Sequence, residues 1–297
     1  MVDSELIKFK GVSKKFKKNL IVDSLNFNIP EGEITGLIGS SGSGKTTILK
    51  LLVGAYKPTK GEVIYLKKNI LKEVKNVEKY FGFATEQGSF YGKLTVLENI
   101  FYFGKLQKMK KKDIKKESKR LLKLVGLDNA KNTLAEDLSM GMKKRLDITC
   151  ALIHQPEILV MDEPTSDLDP VLRKEIMNLI KQINKKETTI ILTKKILEET
   201  NELMDHILIL HDRKIVEDGD PKKIMEKHEK STMNDVFKKI ILKETTNKKN
   251  EETEEESSDE EKNSSDGKDN DNSEKSSKHK NKFNLKTKLN KLFKKKK

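Results

Sequence analysis

"GLIGSSGSGKTTILK", residues 36–50, decides how this chain is read. An apolar run ends at Gly39, small residues follow, and Gly44-Lys45-Thr46 opens a helical pattern. Glycines let the backbone curl until its N–H groups point inward, and the dipole of the following helix adds positive potential, so the loop forms a cradle for phosphate oxygens. Gly39, Ser40, Ser41, Gly42, Ser43, Gly44, Lys45, Thr46 and Thr47 are the expected nucleotide contacts. Within them Lys45 reaches the β- and γ-phosphates and the Thr46 hydroxyl ligates Mg²⁺.

Farther along, "ILVMDEP" (158–164) is an apolar strand ending in two carboxylates. In a nucleotidase built on such a loop, Asp162 at the strand tip holds the metal, directly or through water, and Glu163 is placed to take a proton from an attacking water. Around these motifs, short apolar runs alternate with helical periodicity, as in an α/β domain. "GEITGLIG" (32–39), "EILVMD" (157–162), "TTIILT" (188–193) and "HILILHD" (206–212) are too apolar for half-exposed strands and suit a sheet covered on both faces. "IKFKGV" and "LNFNI" near the start alternate, as in an antiparallel sheet. Residues 94–155 read as several helices, with Leu106, Met109, Leu121, Leu122 and Val125 spaced for one buried face. The lysine run "KMKKKDIKK" is the solvated side of a helix, and no nucleic-acid partner is expected.

Charge divides the chain further. Of a net +14, residues 244–281 contribute −6, from 13 acidic side chains against 7 lysines, with almost nothing apolar. Such a stretch buries too little surface to offset chain entropy and is expected to be disordered. Residues 282–297, "KFNLKTKLNKLFKKKK", carry 8 lysines and no acid, and put Leu285, Leu289, Leu292 and Phe293 on one helical face, a pattern suited to an anionic membrane surface. No run of about 18 apolar residues exists to span a bilayer, and "MVDSELIKFK" lacks a secretory apolar stretch, so a cytoplasmic location is expected. Cys150, the single cysteine, sits in "DITCALI" and suits a core thiol.

Further motifs follow in order. "VSKKF" ends in Phe16, "ATEQGSFYGKLTVLENI" carries Gln87, "LSMGMKKR" (138–145) carries Ser139 and Gly141, and "SDLD" (166–169) ends in Asp169. Over about residues 5–240 the chain resembles the ATP-binding subunit of an ABC transporter. The resemblance implies an α/β fold: a P-loop NTPase core with a parallel sheet, an antiparallel β subdomain and an inserted α-helical subdomain (about 94–155). It places the nucleotide-binding domain in 1–243, ahead of the acidic linker and the basic tail.

It also implies roles. Phe16 stacks on adenine, Gln87 contacts Mg²⁺ and the attacking water, and Ser139 and Gly141 close over the γ-phosphate bound by a partner domain. Asp169 belongs to the dimer-contact loop. The implied activity is ATP hydrolysis that powers a separate membrane-spanning subunit, from the cytoplasmic face of the cell membrane, by a homo- or heterodimer of nucleotide-binding domains. "LTVLENI", "LLKLVGL" and "LSMGMKKRLDI" resemble exporters of drugs, lipids or polysaccharides; none of these segments touches a substrate, so the transported molecule is not readable. An ATP-holding clamp paired with an active partner is the alternative, and a soluble ABC ATPase outside transport a lesser one.

Two departures stand out. Met140 occupies the place of the signature's first glycine. In "TIILTKKILEE" (189–199), Lys195 stands where the family has a histidine that contacts the γ-phosphate and aligns water and base. An ammonium offers three donors and no acceptor on a long stem, so the expectation is that it neutralises phosphate, pairs with Glu163, and leaves binding better preserved than turnover. His206, the nearest histidine, is expected to be a structural strand-end residue.

Overall fold

β3 (Ile34–Gly39) lies inside a six-stranded sheet, flanked on both sides by equally apolar strands. On one side is β8 (Thr189–Lys194), then β7 (Ile158–Met161) and β6 (Phe81–Ala84) at the edge; on the other are β9 (His206–His211) and β10 (Lys214–Gly219). Pairing is parallel from β6 to β9, and only β10 runs antiparallel, against β9. Residues 5–65, 68–69, 78–185, 188–195 and 203–242 are described by this structure, a computed structural model; the acidic linker and basic tail lie outside the described residues.

All residues of β7 and β8 are buried, because apolar material covers both faces of the sheet. Strand alternation sends Leu159, Met161, Ile190, Leu192, Ile207 and Ile209 into one core and Ile158, Val160, Ile191, Leu208 and Leu210 into the other. Each such side chain contributes about 1.5–3 kcal/mol by leaving water, so the register that keeps both faces apolar is strongly favoured.

The second core is closed by an antiparallel sheet in the order β2 (Asn19–Pro30), β1 (Glu5–Phe16), β4 (Lys60–Tyr65) and β5 (Lys68–Asn69). Phe9 and Phe27, paired across β1 and β2, stack with ring centroids 4.3 Å apart. Behind β3, helix α1 (Lys45–Leu52) turns Ile48, Leu49, Leu51 and Leu52 into this core.

The other core is covered by α2 (Val96–Leu106), α3 (Lys111–Val125), α4 (Met140–Leu152) and α5 (Pro170–Asn184), with α6 (Pro221–Lys227) and a helix over 233–242 later in the chain. A capping box between Thr95 and Glu98 starts α2. Leu121, Leu122 and Val125 are buried as expected, whereas Leu106 is 58% exposed and Met109 only partly covered. The chain leaves helical geometry between α2 and α3, with Lys108 at φ 58°, and this break takes Leu106 and Met109 out of the phase that a continuous helix would have given them. The lysines of 108–116 are exposed around buried Ile114. Cys150 is buried, and burial pushes its thiol well above the usual range.

Candidate functional site

Parallel strands deliver their carboxyl ends to one edge of the sheet, where ligands of open α/β folds bind. From β3 the chain enters the glycine-rich loop, from β7 it reaches Asp162 and Glu163, from β8 Lys195, and from β6 Glu86. Ser41, Gly42, Gly44, Lys45, Thr46, Thr47, Glu86, Glu163, Lys195 and Ile21 line an open cavity of about 500 Å³.

Gly39 and Gly44 have steric reasons to be glycine. A Cβ at Gly39 would lie 2.9 Å from the Leu210 carbonyl oxygen and 2.7 Å from Ser43 Oγ. Gly44, at φ 110°, caps α1, and a Cβ there would meet Val22 at 3.0 Å and Ile21 at 3.2 Å. No acidic side chain of its own sits in the first turn of α1, so the positive end of the helix is directed at the cavity and at the carboxylates that converge there. Ser43 Oγ is buried without a hydrogen-bond partner, an orphan polar atom in a loop shaped for oxyanions.

Lys45 is buried, its ammonium donating to the carbonyls of Gly39 (2.9 Å) and Ser40 (3.0 Å) and lying 3.6 Å from Glu163 Oε1. Burial pulls it below the usual lysine range, against the opposing pull of Glu163 and Asp162. The Thr46 hydroxyl donates to Asp162 Oδ2 at 2.7 Å. A hydroxyl and a carboxylate meeting beside a phosphate cradle are the hard oxygen donors that Mg²⁺ takes, leaving its other positions to water and phosphate, so these two residues fit that ion.

The carboxylate pair is held by a residue that sequence reasoning missed. Thr193 of β8, fully buried, donates through Oγ1 to Asp162 Oδ1 (2.6 Å) and accepts there from the backbone N–H of Glu163 (2.8 Å). Glu163 itself is in the left-handed region at φ 47°, uncommon for a side chain of this kind and typical of functional turns. A threonine directly after the apolar run Ile190–Leu192 of β8 was the available signal, since a buried hydroxyl needs partners.

Lys195 follows β8 immediately. Its ammonium lies 2.6 Å from Glu163 Oε2 and 3.6 Å from Glu86 Oε1. Direct contact with Glu163 holds Lys195 above the usual lysine range. Its neighbour Lys194 is buried within β8. Gln87 does not accompany these groups: it is an exposed turn residue, and the adjoining Glu86 turns into the cavity. That turn is fixed from beneath by α4, where the buried Lys144 donates to the Glu86 carbonyl (2.5 Å) and the buried Asp147 accepts from the Ser89 N–H (2.6 Å). Burial raises Asp147 to about 6, opposed by hydrogen bonds from Ser89 and Thr85.

The remaining expected residues lie around the cavity or apart from it. Phe16, 40% exposed at the end of β1, meets Tyr56 edge-on at 5.2 Å, with the Lys14 ammonium 4.7 Å from its ring centroid. It lies at the β1–β2 turn, next to the stretch whose Ile21 touches the loop. Ser139 caps α4, accepting from Met142 N–H, and Met140 is 53% exposed beside it. A Cβ on Gly141 would meet Leu172 of α5 at 3.0 Å. Asp169 caps α5, accepting from the N–H groups of Val171 and Leu172. His206 pairs with Asp218 at 2.6 Å between β9 and β10, away from the cavity lining.

Comparison with known proteins agrees with this geometry. Residues 22–166 match the ABC transporter family model. Bacitracin transport ATP-binding protein BcrA of Bacillus licheniformis is 36% identical over 245 residues, covering 81% of this chain and 79% of that protein. Nod factor export ATP-binding protein I of Rhizobium sp. (strain N33) is 35% identical over 75% of this chain and 73% of its own length. Among solved structures, the dimeric MJ0796, a bacterial ABC transporter cassette, superposes with a TM-score of 0.65 at 28% identity, covering 72% of this chain and 98% of its own. The fold is also shared with cbiO1 of Clostridium perfringens, part of the complex cbiONQ (TM-score 0.69, 24% identity, 76% and 92% covered). This chain therefore belongs to the ABC transporter family, among its ATP-binding proteins.

Proposed function

We propose that this chain hydrolyses Mg·ATP slowly, as the ATP-binding subunit of an ABC exporter. It acts at the cytoplasmic face of the cell membrane, paired with a second nucleotide-binding domain beneath a separate membrane subunit. The bacitracin and Nod factor relatives support the export reading and the dimeric cassette the pairing. Among the described residues no helix is long and apolar enough to cross a membrane, which accords with a separate membrane subunit.

The observation that carries the reading of slow turnover is the 2.6 Å contact between the Lys195 ammonium and Glu163 Oε2. Substrate phosphates draw Lys45 from the carbonyls of Gly39 and Ser40, because a phosphate oxygen is the stronger acceptor. Mg²⁺, when held by Thr46 and Asp162, neutralises charge on the phosphates. Glu163 accepts the proton of the attacking water, and to do so it must face that water rather than an ammonium. Lys195, 41% exposed and offering only donors, adds positive charge for the phosphates while occupying an oxygen of the base. Nucleotide binding is thereby preserved and proton transfer hindered. Phe16 supplies the adenine face, and Ser139 and Gly141 serve the partner's nucleotide, with Met140 crowding that approach.

Purification from detergent-solubilised membranes, followed by Mg·ATP binding and ATPase assays on the complex, tests this reading. Expected are co-purification of a membrane subunit, saturable Mg·ATP binding and slow turnover. Absence of Mg·ATP binding would refute it. Saturable binding with turnover of the complex that Glu163→Gln leaves unchanged would instead favour the clamp, in which the partner alone hydrolyses.

A further inference from the structure

Both oxygens of Glu163 face cations, Lys45 at 3.6 Å from Oε1 and Lys195 at 2.6 Å from Oε2. Lys195 in turn has a second carboxylate within reach, Glu86 Oε1 at 3.6 Å. We infer that Glu86 is a positioning residue for hydrolysis, whose carboxylate shares the Lys195 ammonium with Glu163 and so sets how firmly that cation sits on the base. The inference rests on the reading of Lys195 given above.

Three observations support it. The Glu86 side chain lines the cavity, although neither composition nor motif spacing singled it out. Its backbone is anchored, with the carbonyl held by Lys144, the turn closed by Gly88 N–H on the Thr85 carbonyl at 3.2 Å, and Ser89 N–H tied to Asp147. The carboxylate is thus presented from a fixed base. Finally, an ammonium has three N–H donors, enough for Glu163, Glu86 and a phosphate oxygen together. Glu86 and Lys195 introduce opposite charges at the mouth of one cavity, so together they leave its net charge as a neutral pair would.

Removing the Glu86 charge leaves Glu163 as the nearer claimant on Lys195. Glu86→Gln keeps the side-chain shape, and it should lower kcat about threefold, the scale of a partly exposed ion pair. It should leave the Kd for Mg·ATP unchanged or lower it, because an anion has left the path of the phosphates. In a Lys195→His background, where no ammonium remains to be shared, Glu86→Gln should not lower kcat. The experiment is a double-mutant cycle over positions 86 and 195 in the full chain with its membrane subunit, reading kcat, KM and equilibrium Mg·ATP binding. An equal fall in kcat in both backgrounds would assign Glu86 a general role in the turn and overturn the inference. So would an unchanged kcat on the wild-type background, or weaker Mg·ATP binding. Failure of the underlying reading shows separately, as a Lys195→His variant no faster than wild type.

Discussion

Replacing Thr193 by valine keeps the volume and β-branching of a fully buried position and deletes one hydroxyl. That hydroxyl makes two bonds, donating to a charged carboxylate at 2.6 Å and accepting a backbone N–H at 2.8 Å. A hydrogen bond to a charged group contributes about 1.5–3 kcal/mol, and a buried N–H left without a partner costs about 1–3 kcal/mol. The Thr46 bond to the other Asp162 oxygen survives, which places the expected loss nearer the lower sums, about 3 kcal/mol. For a domain of this size that corresponds to a fall in Tm of about 6–12 °C. Thermal and urea unfolding of wild type, Thr193→Val and Thr193→Ser would measure it. Thr193→Ser retains the hydroxyl and should lose only about 1 kcal/mol for its missing methyl. A Thr193→Val variant as stable as wild type, or equal losses in both variants, would refute the argument that this hydroxyl holds the carboxylate turn.

Other outcomes follow from the same geometry. Lys45→Ala should abolish or severely weaken Mg·ATP binding, since the cradle remains but its cation is lost, whereas Glu163→Gln should retain ATP and accumulate dimers; nucleotide retention on gel filtration distinguishes them. Asp147 binds its proton more tightly folded, at about 6, than unfolded, near 3.8, so its protonation favours the folded state most at low pH. That contribution, on the order of 3 kcal/mol, declines as pH rises from about 4 to 6 and is gone above 6. Stability of Asp147→Asn measured against wild type should therefore improve relatively between pH 4 and 7, and a pH-independent difference would count against it. Deleting residues 282–297 should reduce co-sedimentation with anionic vesicles, and equal binding by both forms would remove the membrane role of the tail.

Much of this architecture was legible because the strands are apolar on both faces. "TTIILT" and "EILVMD" have few other places to go than the middle of a covered sheet, and β8 and β7 are found there. The phosphate loop and Asp162–Glu163 were legible because each sits where a strand ends, so their convergence follows once the strands are parallel. Residues whose role depends on which way a turn faces were not. In "TEQGS" Glu86 and Gln87 are both exposed and only Glu86 lines the cavity, and the anchoring of that turn by Lys144 and Asp147 joins positions 58 residues apart. Leu106 was misassigned, and Met109 packs against the core only partly, because periodicity does not register a helix break at Lys108. Thr193 and Asp147 carried a usable signal, a polar side chain within an apolar run, but not the identity of their partners.

The central claim is that Lys195 restrains the base. Steady-state ATPase rates of wild type, Lys194→His and Lys195→His, each with the membrane subunit and a partner site of intact signature, test it most directly. Lys195→His should raise kcat by at least about fivefold, a small part of what a well-placed general base contributes, with Mg·ATP binding preserved and Lys194→His giving no such gain. Fast wild-type turnover, unchanged by either substitution, would contradict the account.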